Sequence, residues 1–192
     1  MELETPLIWT IGHSTRSEDE FLGLLAEYQI EGVADVRRYP GSRRMPQFGS
    51  DVLAAALRAD GLEYLWLPGL GGRRTPLPDS PNTAWRSPSF RGYADYLQTE
   101  PFAESLAELI SMAFGLRTAI MCAEAVWWRC HRGLIADVLR WLGFEVNHIL
   151  GPGSSTQHPY TPAARLEGGQ LSYAAPSSGP SHVDSRSVQT TN

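Results

Sequence analysis

The chain has 192 residues, of which 42% are hydrophobic and 19% charged, and its formal net charge is −5. This composition is typical of a folded globular protein and excludes a disordered one, and the acidic balance excludes a surface that is cationic throughout. We expect neither a secretory signal nor a membrane span, because no apolar run approaches the roughly 18 residues that a span requires. Two cysteines in a chain of this length favour free thiols and a cytoplasmic protein over a disulfide framework.

The first part of the chain alternates apolar runs, which predict buried strands, with helical stripes. At the start of the first helix, Ser17 and Glu20 have the spacing of a capping box. The second helix has Ser50 or Asp51 as its predicted N-cap and ends at Gly61. The predicted strands are 7–13, 32–37 and a segment from Leu62 to Pro68.

A long polar, Pro-rich loop from Arg73 to about Ser89 divides the chain, and loops of that length are usually functional or mobile. The alternation then resumes, with a predicted break in the next helical region near Pro101. The elements predicted after the loop are helices over 90–115 and 130–143, strands over 117–124 and 145–150, and a hairpin that turns at Gly168–Gly169.

Strands that alternate with helices at this spacing predict a parallel sheet that is covered on both faces. We therefore predict a single α/β domain over residues 1–173, with about five mainly parallel strands, helices on both faces and a small C-terminal hairpin. Residues 174–192 have the composition of a disordered tail.

Reactive side chains and arginines follow the predicted strands. All sixteen basic residues are arginines, which bind phosphate or carboxylate as a planar fork and stack on rings. In open parallel sheets, ligands bind at the carboxyl ends of the strands, where these loops emerge. The residues placed there are His13 after the first strand; Asp35, Arg37, Arg38, Arg43 and Arg44 after the second; Arg73 and Arg74 after the third; and Cys122, Glu124, Trp128, His131 and Arg132 after the fourth.

Seven motifs lie at or near the predicted strand ends and loops. They are "IGHSTR" (11–16), "VADVRRYPGSRRMPQF" (33–48), "LPGLGGRR" (67–74), "SFRGYADYL" (89–97), "MCAE" (121–124), "CHR" (130–132) and "HPYTPAARL" (158–166). Together these motifs resemble those of one bacterial and archaeal family, the domain of unknown function 488. The resemblance covers roughly residues 7 to 173 and implies a compact α/β fold, whereas it implies no settled reaction.

The segment "MCAEAVWWRCHR" (121–132) offers thiol and metal chemistry. Cys122 has the position of a thiolate nucleophile, but the residues after it lack the glycines that fold backbone N–H groups around an anion. Glu124 would also raise the pKa of this thiol, so a structural Cys122 is favoured over a nucleophile.

A second interpretation is a zinc site formed by Cys122, Glu124, Cys130 and His131, with His13 as a further candidate ligand. Zinc ligands on a turn are usually about two to four residues apart, whereas the two cysteines are eight apart and a histidine follows at once, so we predict no metal. We predict no cofactor either.

Glu124 is the preferred catalytic residue, because a carboxylate beside arginines and aromatic rings can act as a general acid/base. The alternative is that Glu124 only forms a salt bridge with Arg129 or Arg132. His13 is an acid, a base or a buried imidazole, and the sequence does not decide between these roles. The pair Asp35 and Arg37 favours a structural role for Asp35.

We predict an enzyme that acts on a nucleotide or a nucleic-acid component, as a hydrolase or transferase at a base, through an arginine-rich aromatic cleft. The partner is a phosphate-bearing ligand and not a membrane. Two alternatives stay open: a non-catalytic module that binds nucleic acid or nucleotides, and a thiol enzyme. The catalytic candidates are Glu124, His13 and Cys122; the substrate-binding candidates are Asp35, Arg37, Arg38, Arg43, Arg44, Arg73, Arg74, Trp128, His131 and Arg132.

Overall fold

The computed structural model describes residues 6–41 and 43–176, and it confirms the predicted α/β fold. The strands of the main sheet are β1 (Leu7–Gly12), β2 (Gly32–Asp35), β3 (Glu63–Trp66), β4 (Thr118–Cys122), β5 (Glu145–Gly151) and β6 (Ser154–Gln157). They lie in the order β3–β2–β4–β1–β5–β6, and the first five strands are parallel to one another.

The sixth strand, β6, was not predicted. It pairs antiparallel with β5 after a turn in which Gly153 has φ +61°. All four of its residues are polar and exposed, so the sequence carries no apolar alternation there. The predicted hairpin is confirmed: β7 (Arg165–Glu167) and β8 (Gln170–Ser172) flank Gly168–Gly169.

Helices cover both faces of the sheet, as predicted. The α-helices of the described residues are α1 (Glu18–Glu27), α2 (Ser50–Ala59), α3 (Pro88–Tyr96), α4 (Glu100–Gly115) and α5 (Arg132–Trp141). Ile8 and Ala34 join the core beneath α3, α4 and α5, whereas Ile11 and Val33 join the core beneath α1 and α2. Right-handed crossovers require this division, because the chain first moves from β1 to β2 and β3 and then turns back to β4 and β5.

The N-termini of the first two helices differ in how they are capped. The predicted capping box of α1 is present, since Ser17 and Glu20 each accept a hydrogen bond from the other's backbone N–H. The predicted N-cap of α2 is wrong, because Ser50 is already helical and Gly49 is the cap. A 3₁₀ turn over Pro46–Phe48 leads directly into this helix, so no side chain caps it.

Two other predicted boundaries are confirmed. Gly61 follows α2 with φ +79°, in the left-handed region that favours glycine. The helical region near Pro101 is divided into α3 and α4, and Pro101 lies in the first turn of α4, where a missing N–H removes no helical hydrogen bond. Within the described residues no helix is long and apolar enough to cross a membrane, and most of the predicted tail lies outside those residues.

A buried chain of polar side chains joins β1, β5 and α5. His148 Nδ1 lies 2.7 Å from Thr10 Oγ1, and its Nε2 lies 2.9 Å from His158 Nδ1. His158 Nε2 lies 2.9 Å from Asp137 Oδ1, and this carboxylate also accepts hydrogen bonds from Thr161. Because a carboxylate only accepts, His158 Nε2 donates to Asp137.

This network makes the stability of the fold depend on pH. Burial first, and then His158 and Arg132, lower the pKa of His148 from 6.5 to about 2. Between these two pH values the unfolded chain binds a proton that the folded protein does not bind. The stabilisation is therefore fully present above pH 6.5 and decreases as the pH falls.

We expect the free energy of unfolding, measured with urea, to decrease between about pH 7 and about pH 4.5. The variant His148→Gln keeps amide groups for hydrogen bonding and does not titrate, so its decrease over the same range should be smaller. Equal decreases in the two proteins would contradict the assignment of a neutral buried His148.

Candidate functional site

A cavity of about 380 Å³ lies at the carboxyl edge of the sheet. The chain leaves β2 toward α2 on one face of the sheet and leaves β4 toward α5 on the other. The loops after these neighbouring strands therefore separate and leave a crevice, as expected where the strand order reverses. Its lining is Arg37, Arg38, Tyr39, Gly72, Arg73, Ser89, Phe90, Tyr93, Cys122, Ala123, Glu124, Arg129, Cys130 and His131.

The cavity brings together about half of the residues that the sequence selected. The shared members are Arg37, Arg38, Arg73, Cys122, Glu124 and His131. The selected residues outside this lining are His13, Asp35, Arg43, Arg44, Arg74, Trp128 and Arg132. The lining also contains Tyr39, Phe90, Arg129 and Cys130, which the sequence had not selected as site residues and which come from three separate stretches of chain.

Two glycines let the loops of the site approach one another closely. Gly12 ends β1, and a Cβ there would lie 1.8 Å from the carbonyl oxygen of Glu124. Gly72 packs against the ring of His131, and a Cβ there would lie 2.8 Å from its Nδ1. The loop after β4 therefore crosses β1 and meets the loop after β3 only because both positions lack a side chain.

The buried ion pair of Asp35 and Arg37 braces the cavity from below. Arg37 donates to both carboxylate oxygens of Asp35, at 2.8 and 2.6 Å, and to the carbonyl of Phe48 at 2.7 Å. Tyr64 also donates to Asp35, at 2.7 Å, and burial, followed by this carboxylate, raises the pKa of Tyr64. All three guanidinium nitrogens of Arg37 are engaged, so its first role is structural.

His13 is a buried imidazole behind the cavity. Its ring stacks on Phe48 with 4.2 Å between centroids, and its Nδ1 donates to the carbonyl of Ser14 at 3.0 Å. Burial first, and then the charge of Arg37, lower the pKa of His13 from 6.5 to about 4. His13 is therefore neutral near pH 7, and it does not line the cavity.

Arg132 fixes the loop after β4 from inside the protein. It is buried, and it donates to Thr10 Oγ1 at 3.2 Å, to the Glu124 carbonyl at 2.5 Å and to Cys130 Sγ at 3.4 Å. Its contact with Glu124 is with the backbone and not with the carboxylate. Among the described residues the Glu124 carboxylate forms no salt bridge, and this side chain is exposed on the cavity.

The two cysteines and His131 meet in the lining of the cavity. Their sulfur and nitrogen atoms all lie within 4.8 Å of one another, and Cys130 Sγ is 3.7 Å from His131 Nδ1. The hydrogen bond with Cys130, followed by burial, raises the pKa of Cys122. Burial opposes ionisation of Cys130 as well, but the bond from Cys122 and the neighbouring His131 and Arg132 together lower its pKa.

Sequence reasoning therefore concentrated on the less reactive thiol. From the sequence, Cys122 was compared with a nucleophile, and a raised pKa of this thiol was attributed to Glu124. The hydrogen bond with Cys130 is the largest cause of the raised pKa. The signal that was available is the position of Cys130, which directly precedes the N-terminus of α5 and two basic residues.

A second, more apolar groove of about 620 Å³ adjoins the cavity, and Phe90 lines both. Trp128 is 52% exposed on this groove, whereas Trp127 is buried and stacks on His148 with 4.6 Å between centroids. The adjacent tryptophans thus serve as one surface ring and one core ring. Trp85, Phe90 and Trp127 complete the aromatic lining of the groove.

The remaining predicted arginines lie elsewhere. Arg43 and Arg44 are exposed on the loop after β2, outside the lining of either cavity. Arg74 lies over the ring of Tyr96, 3.5 Å from its centroid, and donates to the carbonyl of Gly71 at 3.0 Å. Arg74 therefore packs the loop rather than facing the cavity.

Comparisons with known proteins identify a family and no activity. A family model described as "Domain of unknown function DUF488" matches residues 17–139, a span that includes both cysteines and Glu124. A search of curated proteins and a search of solved structures gave no match.

The close approach at Gly12 predicts a large effect of one methyl group. In Gly12→Ala the new Cβ would meet the backbone of Glu124, which is held by Arg132 and cannot move freely. We expect the free energy of unfolding to fall by about 1–3 kcal/mol in a urea titration.

Gly23→Ala is the matched control, because Gly23 lies in α1 and nothing is within 4 Å of an added Cβ. Alanine in a helix should stabilise the protein by about 0.5–1 kcal/mol relative to glycine. If both variants change stability in the same direction and by similar amounts, the tight crossing of loop and strand is refuted.

Proposed function

The chain belongs to the DUF488 family, whose function is unknown, and we propose that it is an enzyme that acts on a nucleotide or on a nucleic-acid component. The observation that carries the proposal is the pair of adjoining cavities that share Phe90. One is lined by guanidinium groups and a carboxylate, and the other is lined by indole rings. A nucleotide has the same division into an anionic phosphate and a flat base.

The phosphate-binding role belongs to the arginines whose donors are available. Each guanidinium nitrogen of Arg37 already donates to Asp35 or to a backbone carbonyl. The arginines of the lining that remain for a phosphate are Arg38, Arg73 and Arg129. Arg73 and Arg129 are exposed on the cavity, and Arg38 reaches the carbonyl of Arg73 at 3.1 Å. Guanidinium groups on two different loops can bind one phosphate from two sides, so this arrangement favours phosphate binding.

The base-binding role belongs to the second groove. Trp128 and Trp85 present indole surfaces there. Phe90 lies between this groove and the first cavity, called the arginine cavity here because Arg37, Arg38, Arg73 and Arg129 line it. Stacking of a base on an aromatic ring is worth about 1–3 kcal/mol and tolerates every base. The proposed substrate class is therefore defined by a phosphate and an aromatic base. Stacking in this groove does not select one base over another.

Glu124 is the proposed general acid/base. Its backbone is fixed by Arg132, while its carboxylate faces the cavity and forms no salt bridge with a described residue. A positioned carboxylate next to bound substrate can transfer a proton or stabilise positive charge on a sugar ring. Cleavage or transfer at the glycosidic bond to a base is the reaction class that fits a carboxylate in the phosphate-binding cavity, next to a groove for the base.

The first test concerns phosphate binding, with a single-stranded oligonucleotide as the probe. Its affinity should fall steeply with salt, and the double variant Arg73→Ala/Arg129→Ala should weaken binding and reduce the slope of log K against log [salt] by about 1.4. Arg58→Ala, in α2 and away from both cavities, should leave the slope unchanged.

The double variant Arg43→Ala/Arg44→Ala separates the sequence-based choice of arginines from the choice that the cavity supports. If this pair reduces the slope and the cavity pair does not, phosphate binds to the loop after β2 and not in the cavity. An affinity that does not change with salt concentration in the wild type and in all variants would refute phosphate recognition altogether.

The second test concerns catalysis by Glu124. A screen of nucleotides, nucleosides and modified DNA or RNA must first supply a substrate. Glu124→Gln should then retain substrate binding and lose turnover by roughly a hundredfold or more, with one limb of the pH–rate profile. Glu167→Gln, in the exposed strand β7, should behave as the wild type.

Unchanged turnover in Glu124→Gln would transfer the catalytic role to another group and refute the assignment. Binding without turnover across the whole screen would instead favour the non-catalytic module.

A further inference from the structure

We propose that Cys122, Cys130 and His131 form a binding site for one zinc ion in the lining of the arginine cavity. This inference rests on the donor atoms themselves and is independent of the proposed nucleotide chemistry. The sequence argued against a metal because the two cysteines are eight residues apart. The fold removes that objection, since β4 ends at Cys122 and the chain returns, through a 3₁₀ turn over Trp127–Arg129, to Cys130.

The three donor atoms are almost at the spacing that zinc requires. Zinc binds sulfur at about 2.3 Å and imidazole nitrogen at about 2.0 Å, so the donors of a tetrahedral site are about 3.5–3.8 Å apart. Here all three lie within 4.8 Å of one another, and Cys130 Sγ and His131 Nδ1 are 3.7 Å apart. Side-chain rotations that shorten the longest separation by about 1 Å would complete the site.

The histidine is oriented as a metal ligand. Its Nε2 lies 3.1 Å from the carbonyl of Val36, which can only accept, so Nε2 carries the hydrogen. The lone pair is therefore on Nδ1, the nitrogen that faces Cys130. Metal-binding histidines almost always donate their other ring N–H to a carbonyl or carboxylate in this way. Gly72 keeps the space beside Nδ1 free, because a Cβ there would lie 2.8 Å from this atom.

The chemistry of the donors selects the ion. Two thiolates and a neutral imidazole carry two negative charges, which a divalent cation neutralises. Sulfur and imidazole donors in a tetrahedral arrangement favour zinc over magnesium or calcium, which bind oxygen. Because all three residues line the cavity, the fourth coordination position faces it. Such an open position is typical of catalytic zinc sites, where it holds water or substrate, and not of structural ones.

The test uses the reduced full-length chain, stripped of metal with a chelator and titrated with Co²⁺ as a spectroscopic substitute for zinc. We expect one equivalent to bind, with the intense thiolate-to-cobalt charge-transfer band and the visible bands of a tetrahedral ion, and we expect zinc to displace it. Cys122→Ser and Cys130→Ser should each weaken the charge-transfer band.

We expect zinc affinity to fall by at least about 10- to 100-fold in Cys122→Ser, Cys130→Ser and His131→Asn. Loss of an outer hydrogen-bond partner alone has an effect of that size, and these variants lose a ligand. His13→Gln, a second histidine close to the cavity but outside its lining, should retain the wild-type affinity.

The wild-type titration alone can overturn the proposal, so it does not depend on whether any variant folds. Absence of the charge-transfer band from the reduced protein would show that the thiols are not ligands. A band that keeps its full wild-type intensity in both cysteine variants, or an affinity that falls equally in His13→Gln, would also refute the site. No nucleotide enters this experiment, so its failure and a failure of the proposed function are separate results.

Discussion

The buried guanidinium of Arg132 joins the elements on which the candidate site depends. It opens α5 with only 1% of its surface exposed, and it binds Thr10 of β1, the carbonyl of Glu124 and the sulfur of Cys130. A buried charge is tolerated only where its donors are satisfied and its charge is compensated. Among the described residues it has no carboxylate partner, so the sulfur of Cys130 is the group on which compensating negative charge can reside. Arg132 thus determines both the shape of the loop after β4 and the charge environment of the Cys130 thiol.

The sequence predicted the fold well because the fold is recorded in local patterns. Apolar runs between helical stripes correspond to buried parallel strands, and the capping box and Gly61 mark helix ends through local hydrogen bonding and a left-handed backbone. The elements that were missed lack such patterns. The strand β6 has four exposed polar residues and is defined only by its pairing with β5, and the N-cap at Gly49 depends on the preceding 3₁₀ turn.

The sequence located the edge of the sheet more accurately than it assigned individual roles. Strand topology brings the loops together, whereas burial decides what each arginine does there. Arg37 and Arg132 are consumed by internal hydrogen bonds, whereas Arg73 is exposed. The sequence indicated a structural pair only for Arg37, through its spacing from Asp35, and nothing in the context of Arg132 distinguishes it from Arg73. Cys130 was undervalued because Cys122 lies at the other end of a loop, and because the neighbouring His131 is oriented by the carbonyl of Val36, on the loop after another strand. Contacts of that kind leave no spacing rule in the sequence.

The loop between β4 and α5 combines fixed and free groups in alternation, and this sets what chemistry the site can support. The Glu124 backbone is held by Arg132, but its carboxylate is exposed; Trp127 is packed in the core, but Trp128 is exposed; Cys130 is buried, but Arg129 before it is exposed. Fixed backbone positions give the free side chains a defined origin, which catalysis requires, while exposed ends let them adapt to a ligand. The outward carboxylate, indole and guanidinium thus start from anchored backbone positions, which is the arrangement that the proposed ligand-positioning role requires.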